Sequence, residues 1–527
     1  MAALSQSRTV AVIGSGAMGA GIAQVAAVAG YTVKLYDSRA EAVAKAIADI
    51  AQALNKLVAK QRMNVVDAAA AIARLHPALT LDDIAAAQPG LVVEAIVENL
   101  DAKRALFAQL EAIVADDCIL ATNTSSISVT AIAAGLRVPG RLVGMHFFNP
   151  VPLMALVEVV AGLATDPEAA NTVFDTAAAW GKSPVHARST PGFIVNRVAR
   201  PYYAEAWRLL VEGAADAATI DAVLREAGGF RMGPFELMDL IGHDVNFAVT
   251  QSVFAAYFND PRFTPSVLQR ELVDAGFLGR KTGRGCYRYG DAAIADVPRS
   301  EAPQPVPDYV SYTQEAGAVA AAAHPHGGVV TDALAARLRA AGIAVAHRKP
   351  PESRGTDDAP AFHCNGAAVY LTDGRTATQR AFDNRHPNTV LVDLALDYGS
   401  AARIALTCAD QCSSEAYLAV VGLFQAAGFT VTRLGDIPGM AVMRTVAMLA
   451  NEAADAVNQG VCSAAGADIA MQKGVNYPRG PLAWADAVGV GHIVDVLNNL
   501  AAGYGEDRYR VSPLLRRKHA AGVNIHA

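Results

Sequence analysis

Six cysteines in 527 residues are too few for a disulfide-built fold. They are Cys118, Cys286, Cys364, Cys408, Cys412 and Cys462, and only Cys408 and Cys412 lie close. The segment Cys-Ala-Asp-Gln-Cys has no second Cys/His pair to complete a zinc site, so free thiols in a reducing compartment are expected. An excess of one charge is also missing. Forty-four Lys and Arg stand against 50 Asp and Glu, a formal balance of −6. This excludes a chain-wide phosphate-backbone footprint and attraction to membranes by charge; no nucleic acid and no membrane partner are expected. Charged residues make up only 18% and hydrophobic residues 52%, which excludes a disordered, solvating chain. The longest uncharged stretch, Thr9 to Val33, contains Gly14, Gly16, Gly19, Gly21 and Gly30, and suits a strand–turn–helix better than a membrane span. No targeting segment is legible, and a cytoplasmic location is expected. There is no nucleophile elbow, no phosphate-cradling Lys-Ser/Thr motif and no basic aromatic stripe. His324-Pro-His326 lacks a third ligand and reads as a loop, so no metal is expected.

What is present is alternation. Thr9–Ile13, Thr32–Tyr36, Leu91–Ala95, Cys118–Ala121 and Leu142–His146 read as strands, and Ala17–Ala29 and Ala40–Lys60 as helices. This predicts an α/β Rossmann-type domain with a parallel sheet and helices on both faces, over residues 1–188. From Pro191 to about Asp274 the apolar residues take helical spacing, and Gly279–Tyr289 closes an all-α domain over 189–290. Pro298, Pro303, Pro305 and Pro307 mark a stiff linker, 291–308. A second α/β segment, 309–437, then alternates again, with a polar, Pro-rich loop over His347–Pro360. The last segment, 438–527, repeats the helical domain at an offset of 247. Pro191-Gly192 returns as Pro438-Gly439, Glu205-Ala206 as Glu452-Ala453, Gly233-Pro234 as Gly480-Pro481, and Asp239 as Asp486. The repeat is uneven: Asn196 becomes Met443, and the second α/β segment has no Gly-x-Gly-x-x-Gly and no histidine over Val390–Tyr398. It reads as a degenerate copy of the first domain.

The chemistry-bearing residues lie in the first half. Gly14-Ser-Gly16-Ala-Met18-Gly19 follows a strand and opens a helix. Its glycines permit a tight turn, close approach of a pyrophosphate, and close helix–strand packing. Asp37 ends the second strand, where an acid accepts ribose hydroxyls and repels a 2′-phosphate, which favours NAD over NADP. His146 and Glu158 each interrupt an apolar strand. A buried Glu is costly unless paired, and a carboxylate held on one imidazole nitrogen leaves the other to take a proton. Beside a nicotinamide, such a pair suits alcohol oxidation.

Gly14–Gly19, Val93–Glu98, Thr122-Asn-Thr-Ser-Ser126, His146-Phe-Phe-Asn-Pro150, Leu156-Val-Glu158, Thr190–Arg197, Gly233–Leu237 and Gly279–Gly283 together resemble the L-3-hydroxyacyl-CoA dehydrogenase family over about residues 8–290. The longer chain, with Asn196–Tyr203 and Asp244–Ala248, resembles the branch of that family that acts on 3-hydroxyadipyl-CoA in phenylacetate breakdown. The resemblance implies an NAD-dependent oxidoreductase with an acyl-CoA substrate. It makes His146 the base, Glu158 its orienting partner, and Ser125 and Asn196 contacts for the substrate's 3-oxygen or the histidine. Glu98, Lys103 and Asn123 would line the nicotinamide half of the cofactor site, and Lys60 would face the CoA phosphates. Arg200 lies four residues after Asn196 and shares its face if the segment is helical, so it is the expected contact for a distal substrate carboxylate, with Arg197 as rival. The second helical copy is expected to act as a built-in dimer partner. A 3-hydroxybutyryl-CoA dehydrogenase and a non-catalytic NAD-binding protein are the competing readings.

Overall fold

The computed structural model describes residues 3–290, 293–307, 309–313, 327–348 and 360–527. His324-Pro-His326 lies outside them. So does most of the expected loop over His347–Pro360, whose first two residues instead end a strand, Val345–Arg348. The chain forms two units: Met1–Arg197 with Gln459–Val475, and Val198–Asn458 with Asn476–Ala527.

The first unit is built on eight strands: β1 (Thr9–Ile13), β2 (Val33–Tyr36), β3 (Leu75–Ala78), β4 (Pro89–Glu94), β5 (Ile119–Thr122), β6 (Leu142–Phe147), β7 (Leu156–Ala161) and β8 (Ser183–Arg188). Their order is β3-β2-β1-β4-β5-β6-β7-β8. In β1, Val10 to Ile13 are buried on both faces of the sheet, as expected when helices cover both sides. β3 was not legible in the sequence; its Pro77 is tolerated because β3 is an edge strand. One pair departs from the expected parallel order. β7 runs antiparallel to β6, because residues 148–155 are too short for the crossover a parallel pair requires.

The second unit holds β9 (Val310–Thr313), β10 (Val345–Arg348), β11 (Phe362–Cys364), β12 (Ala367–Leu371), β13 (Thr389–Val392), β14 (Arg403–Cys408) and β15 (Thr430–Arg433), in the order β10-β9-β11-β12-β13-β14-β15. Strands β12 to β15 repeat the parallel, antiparallel, parallel pairing of β5 to β8. The offset of 247 therefore reaches back through both sheets. It carries β7 onto β14, the helix Pro167–Ala179 onto Ser414–Ala426, and Pro234–Ile241 onto Pro481–Val488. One helix differs. Val442–Asn458 is continuous, whereas its counterpart divides into Val195–Val198 and Arg200–Val211. Pro201 stands where the other copy has Met448, and a proline lacks the N–H that would continue the ladder. Asn196 and Arg200 therefore do not lie on one unbroken helix.

The helical copies pack crosswise on the sheets. In the first unit, Ala464–Gly474 of the second copy lies on β7 and β8, so close that a Cβ at Gly474 would fall 2.6 Å from Leu156 Cδ2. In the second unit, the first copy's equivalent helix, Ala217–Glu226, lies on β14, and Glu226 pairs with Arg403 at 3.0 Å.

Candidate active site

The glycine turn has the geometry its sequence implies. Gly14 takes φ +103°, and a Cβ there would sit 2.5 Å from the Ala95 carbonyl oxygen. At Gly19 a Cβ would fall 1.8 Å from the Gly14 oxygen, so only glycine lets the helix Ala17–Val28 approach β1. Gly16 is different: nothing lies within 4 Å of its would-be Cβ. It caps the helix without any side-chain bond, so the first amides of a 12-residue helix are left for an anion. Met18 is half-buried against the core at the same turn. Asp37 Oδ2 accepts from the Ser15 amide at 2.8 Å and the Ser15 hydroxyl at 2.9 Å. Burial raises its pKa, but the Ser15 and Arg39 amides outweigh that, and the carboxyl stays below its ordinary range. A fixed anion at the end of β2, beside open helix amides, fits a dinucleotide with a free ribose and disfavours a 2′-phosphate.

His146 and Glu158 face each other directly across the β6–β7 pair. His146 Nδ1 lies 2.6 Å from Glu158 Oε2, and Glu158 Oε1 accepts from the amides of Ile194 at 3.0 Å and Val195 at 2.9 Å. The carboxylate is completely buried and fixed on both oxygens. It holds the ring through Nδ1, which leaves Nε2 as the proton-accepting atom. Phe148 and Phe193 pack on the imidazole with centroids at 4.5 and 5.8 Å. The antiparallel register is what brings together the two residues that the sequence reading paired.

Glu98 gathers the remaining site residues. Its Oε1 accepts from the Thr124 hydroxyl at 2.6 Å, the Ser125 amide at 2.9 Å and the Ser125 hydroxyl at 3.3 Å. Lys103 Nζ lies 3.2 Å from its Oε2 and 2.6 Å from Glu94 Oε1, and is buried. Burial raises the Glu98 pKa, but the Thr124 hydroxyl and the Lys103 charge prevail and hold it below the usual range. The buried Glu94–Lys103 pair, also bound by Thr122 at 2.6 Å, escaped the sequence reading, although an acid ending a buried strand signals a partner. Asn123 Oδ1 accepts from the Phe147 amide at 2.9 Å, which ties the loop after β5 to β6. Asn196 Nδ2 reaches the Ser125 carbonyl at 3.5 Å. Ser125, Asn196, Glu98 and Lys103 thus form one connected group in the first unit. Lys60 is exposed at the end of Ala40–Ala59.

In the second unit, the position equivalent to His146 is Asp393, and that of Glu158 is Ala405. Asp393 is fully buried and accepts from the amides of Ala441 at 2.9 Å, Val442 at 2.8 Å and Met443 at 3.0 Å. It binds the same stretch of backbone that Glu158 binds in the first unit. With no histidine and no Asn196 equivalent, this copy keeps the carboxylate's structural contact and none of the proton chemistry. Also in this unit, Asp239, His243 and Cys286 form the one His/Cys/Asp cluster with metal-like spacing among the described residues. Asp239 already accepts from His243, the amides of Cys286 and Tyr287, and the Tyr289 hydroxyl, which is a structural hub rather than an open ligand set. Arg200 is buried and donates to Thr250.

The sequence matches three family descriptions. The 3-hydroxyacyl-CoA dehydrogenase NAD binding domain covers residues 9–190, and the C-terminal domain of the same family covers 192–289 and again 439–524. A 3-hydroxybutyryl-CoA dehydrogenase reduced Rossmann-fold domain covers 369–438. The chain belongs to the 3-hydroxyacyl-CoA dehydrogenase family. It is 43% identical to the 3-hydroxyadipyl-CoA dehydrogenase of Escherichia coli K12 over 512 residues, 97% of each chain. It is 43% identical to a probable 3-hydroxybutyryl-CoA dehydrogenase of Deinococcus radiodurans, over 53% of this chain and 99% of that one. A crystal structure of 3-hydroxybutyryl-CoA dehydrogenase from Escherichia coli K12 superposes with a TM-score of 0.85 at 41% identity, covering 98% of both chains. As a 3-hydroxyacyl-CoA dehydrogenase, the protein is an oxidoreductase that uses NAD. No helix among the described residues is long and apolar enough to cross a membrane.

Proposed function

We propose that this enzyme oxidises the hydroxyl of an L-3-hydroxyacyl-CoA to the ketone, and that its substrate is the dicarboxylic 3-hydroxyadipyl-CoA. The observation that carries the chemistry is the buried His146–Glu158 pair, with the carboxylate fixed on both oxygens. Bound NAD supplies the hydride acceptor. His146 Nε2 takes the hydroxyl proton, and Glu158 meets the positive charge that the ring then carries. Ser125 and Asn196 hold the 3-oxygen against His146, while Glu98, Lys103 and Asn123 shape the nicotinamide end. Asp37 and the turn of Gly14, Gly16, Met18 and Gly19 take the ribose and pyrophosphate, and Lys60 faces the CoA phosphates. Supporting the choice of acyl chain, the full-length Escherichia coli relative is named for 3-hydroxyadipyl-CoA. The shorter chain has its own support, since the superposed Escherichia coli structure is named for 3-hydroxybutyryl-CoA. Rates of NADH formation with both thioesters decide between them: a preference for the dicarboxylic one that vanishes in His146→Ala supports the proposal, and a preference for the four-carbon one refutes it.

We further infer that there is one active site per chain, with the second helical copy as an internal partner, and that the enzyme works in the cytoplasm. The helix Ala464–Gly474 covering β7 and β8 supports this, because it shields the strand that carries Glu158. The Arg188 amide, which ends β8, also donates to the Val461 carbonyl at 2.9 Å. Residues 1–290 expressed alone should aggregate or dimerise with reduced activity. A stable, monomeric and fully active fragment refutes the internal-partner reading.

A further inference from the structure

All six cysteines are free thiols, and two of them meet. Cys408 ends β14, and Cys412 lies four residues on, just before the helix Ser414–Ala426. The turn between them closes when the Cys412 amide donates to the Ala409 carbonyl at 2.9 Å. It is pinned by the Asp410 amide on Thr378 Oγ1 at 2.9 Å and the Ser413 amide on Asn388 Oδ1 at 3.0 Å. The chain doubles back far enough for the Cys412 thiol to hydrogen-bond to Cys408 Sγ. Cys412 Sγ also lies 3.5 Å from the Ser413 carbonyl oxygen. Cys408 Sγ accepts in addition from Arg433 Nη2 at 3.4 Å, and the Arg433 guanidinium carbon lies 4.7 Å from the Tyr417 ring centre. The Cys412 hydrogen bond lowers the Cys408 pKa most. Burial opposes it, Arg433 adds to the lowering and Asp436 works against it, which leaves the thiol at about 7. All of these residues lie in the second unit.

The internal repeat shows that the turn does not need these groups. At the offset of 247, Cys408, Cys412 and Arg433 answer to Ala161, Thr165 and His186. In the first sheet Thr165 holds the turn: its hydroxyl donates to the Leu142 carbonyl at 2.7 Å and accepts from the Gly162 amide at 2.9 Å. In the second sheet the Ala409 amide, the equivalent of Gly162, reaches the carbonyl of Thr389, the equivalent of Leu142, directly at 3.0 Å. The side chain at 412 is therefore released from the work that Thr165 does. His186 stacks on Phe174 at 4.4 Å, whereas Arg433 lies against a thiol. Two thiols and a cation thus surround a turn that closes without them. Cys408 is 8% exposed and Cys412 is half-buried, an access that suits an oxidant of the size of water better than a bulky disulfide.

We propose that Cys408 and Cys412 form a redox-active dithiol that reduces hydrogen peroxide and closes to an intrachain disulfide, with Arg433 holding the Cys408 thiolate. Cys408 Sγ, as thiolate, attacks one peroxide oxygen. The O–O bond breaks, and hydroxide leaves to become water with the proton that the thiol released. Cys412 Sγ then attacks the sulfur of the Cys408 sulfenic acid. The S–O bond breaks, and the oxygen leaves as a second water with the Cys412 proton. The two sulfurs give up two electrons, and the two peroxide oxygens take them. The test treats the reduced full-length chain with one equivalent of hydrogen peroxide at pH 7. The peptide carrying Cys408 and Cys412 should lose two hydrogens by mass and regain them with dithiothreitol. Its thiols should disappear more than about tenfold faster than Cys118 and Cys364, because only a thiolate reacts. In Cys412→Ser the Cys408 sulfenic acid should persist and be trapped by dimedone. Arg433→Met should slow disulfide formation about 2- to 10-fold, the loss of thiolate expected when a neighbouring cation is removed. Wild type whose cysteines are all oxidised at one rate, with no Cys408–Cys412 disulfide, overturns the proposal without any variant. Equal trapping of Cys408 in wild type and Cys412→Ser overturns the role of Cys412, and an unchanged rate in Arg433→Met overturns that of Arg433.

Discussion

Glu158→Gln separates the two tasks of the buried carboxylate. Glu158 Oε2 orients His146, and Oε1 holds the amides of Ile194 and Val195. Glutamine keeps one oxygen, which can serve the two amides, and turns its NH₂ toward His146 Nδ1. The ring then accepts at Nδ1 and carries its proton on Nε2, the tautomer that cannot take the substrate's proton. An equivalent carboxylate-to-amide change in a serine-protease triad costs about 10⁴ in kcat, so a fall of about 10³- to 10⁴-fold is expected here. KM should move by no more than about threefold, since the group acts on the transition state rather than on binding. The loss of stability should be about 1–2 kcal/mol, because the amides keep an acceptor. Glu158→Ala leaves both amides buried and unpaired. At about 1.5–3 kcal/mol for each bond to a charged acceptor, it should cost about 3–6 kcal/mol. Steady-state rates of NADH formation and denaturant unfolding of the two variants measure these quantities. The reasoning is refuted if Glu158→Gln keeps kcat within tenfold of wild type, or if the alanine variant unfolds no more easily than the glutamine one.

Other consequences follow from the same structure. Gly16→Ala meets open space and should melt within a degree or two of wild type while weakening NADH binding more than about tenfold, because its methyl occupies the pyrophosphate approach. Gly19→Ala, with its Cβ driven into the Gly14 carbonyl, should lose stability outright in a melting scan. Asp393 is a group whose folded pKa is raised, to about 6 by burial, from an ordinary 3.8. The folded chain therefore binds that proton more tightly than the unfolded chain, and stability falls as pH rises from about 4 to 6, by about 3 kcal/mol at most. Relative to Asp393→Asn, wild type should lose stability over that window; parallel pH profiles would contradict the assignment. The Cys408 thiol is lowered to about 7 by the Cys412 hydrogen bond and the Arg433 guanidinium, against burial. Iodoacetamide should label it with a rate midpoint near that pH, ahead of Cys118 and Cys364, which burial raises to about 12. Arg433→Gln should move the Cys408 midpoint upward, and an unmoved midpoint would dismiss the guanidinium's role.

Much of the first domain was legible because its signals are local. The glycine turn, Asp37 and the alternation of strands and helices depend on spacing along a few tens of residues, and each appears where its pattern placed it. The duplication was legible for the same reason: Gly, Pro and Asp recur at one offset because the same turns and caps recur. One local signal was passed over. Asn365-Gly366, both with positive φ, makes the tight hairpin between β11 and β12, and Asn-Gly between apolar runs is the expected residue pair for that turn.

The sequence by itself determined the residue types of the candidate site, the glycine turn and the repeat. Only the tertiary structure decided which of those residues meet. His146 and Glu158 become partners because a short link forces β7 antiparallel to β6, and register is a property of two strands rather than of either one. The helix that covers β7 and β8 comes from more than 270 residues further along the chain, so no local pattern announces it. Arg200 was readable as a candidate cation among many. That it is buried without a paired carboxylate among the described residues, while the other buried arginines of the second unit each have one, depends on where every other acid ends up, and only the folded chain settles that.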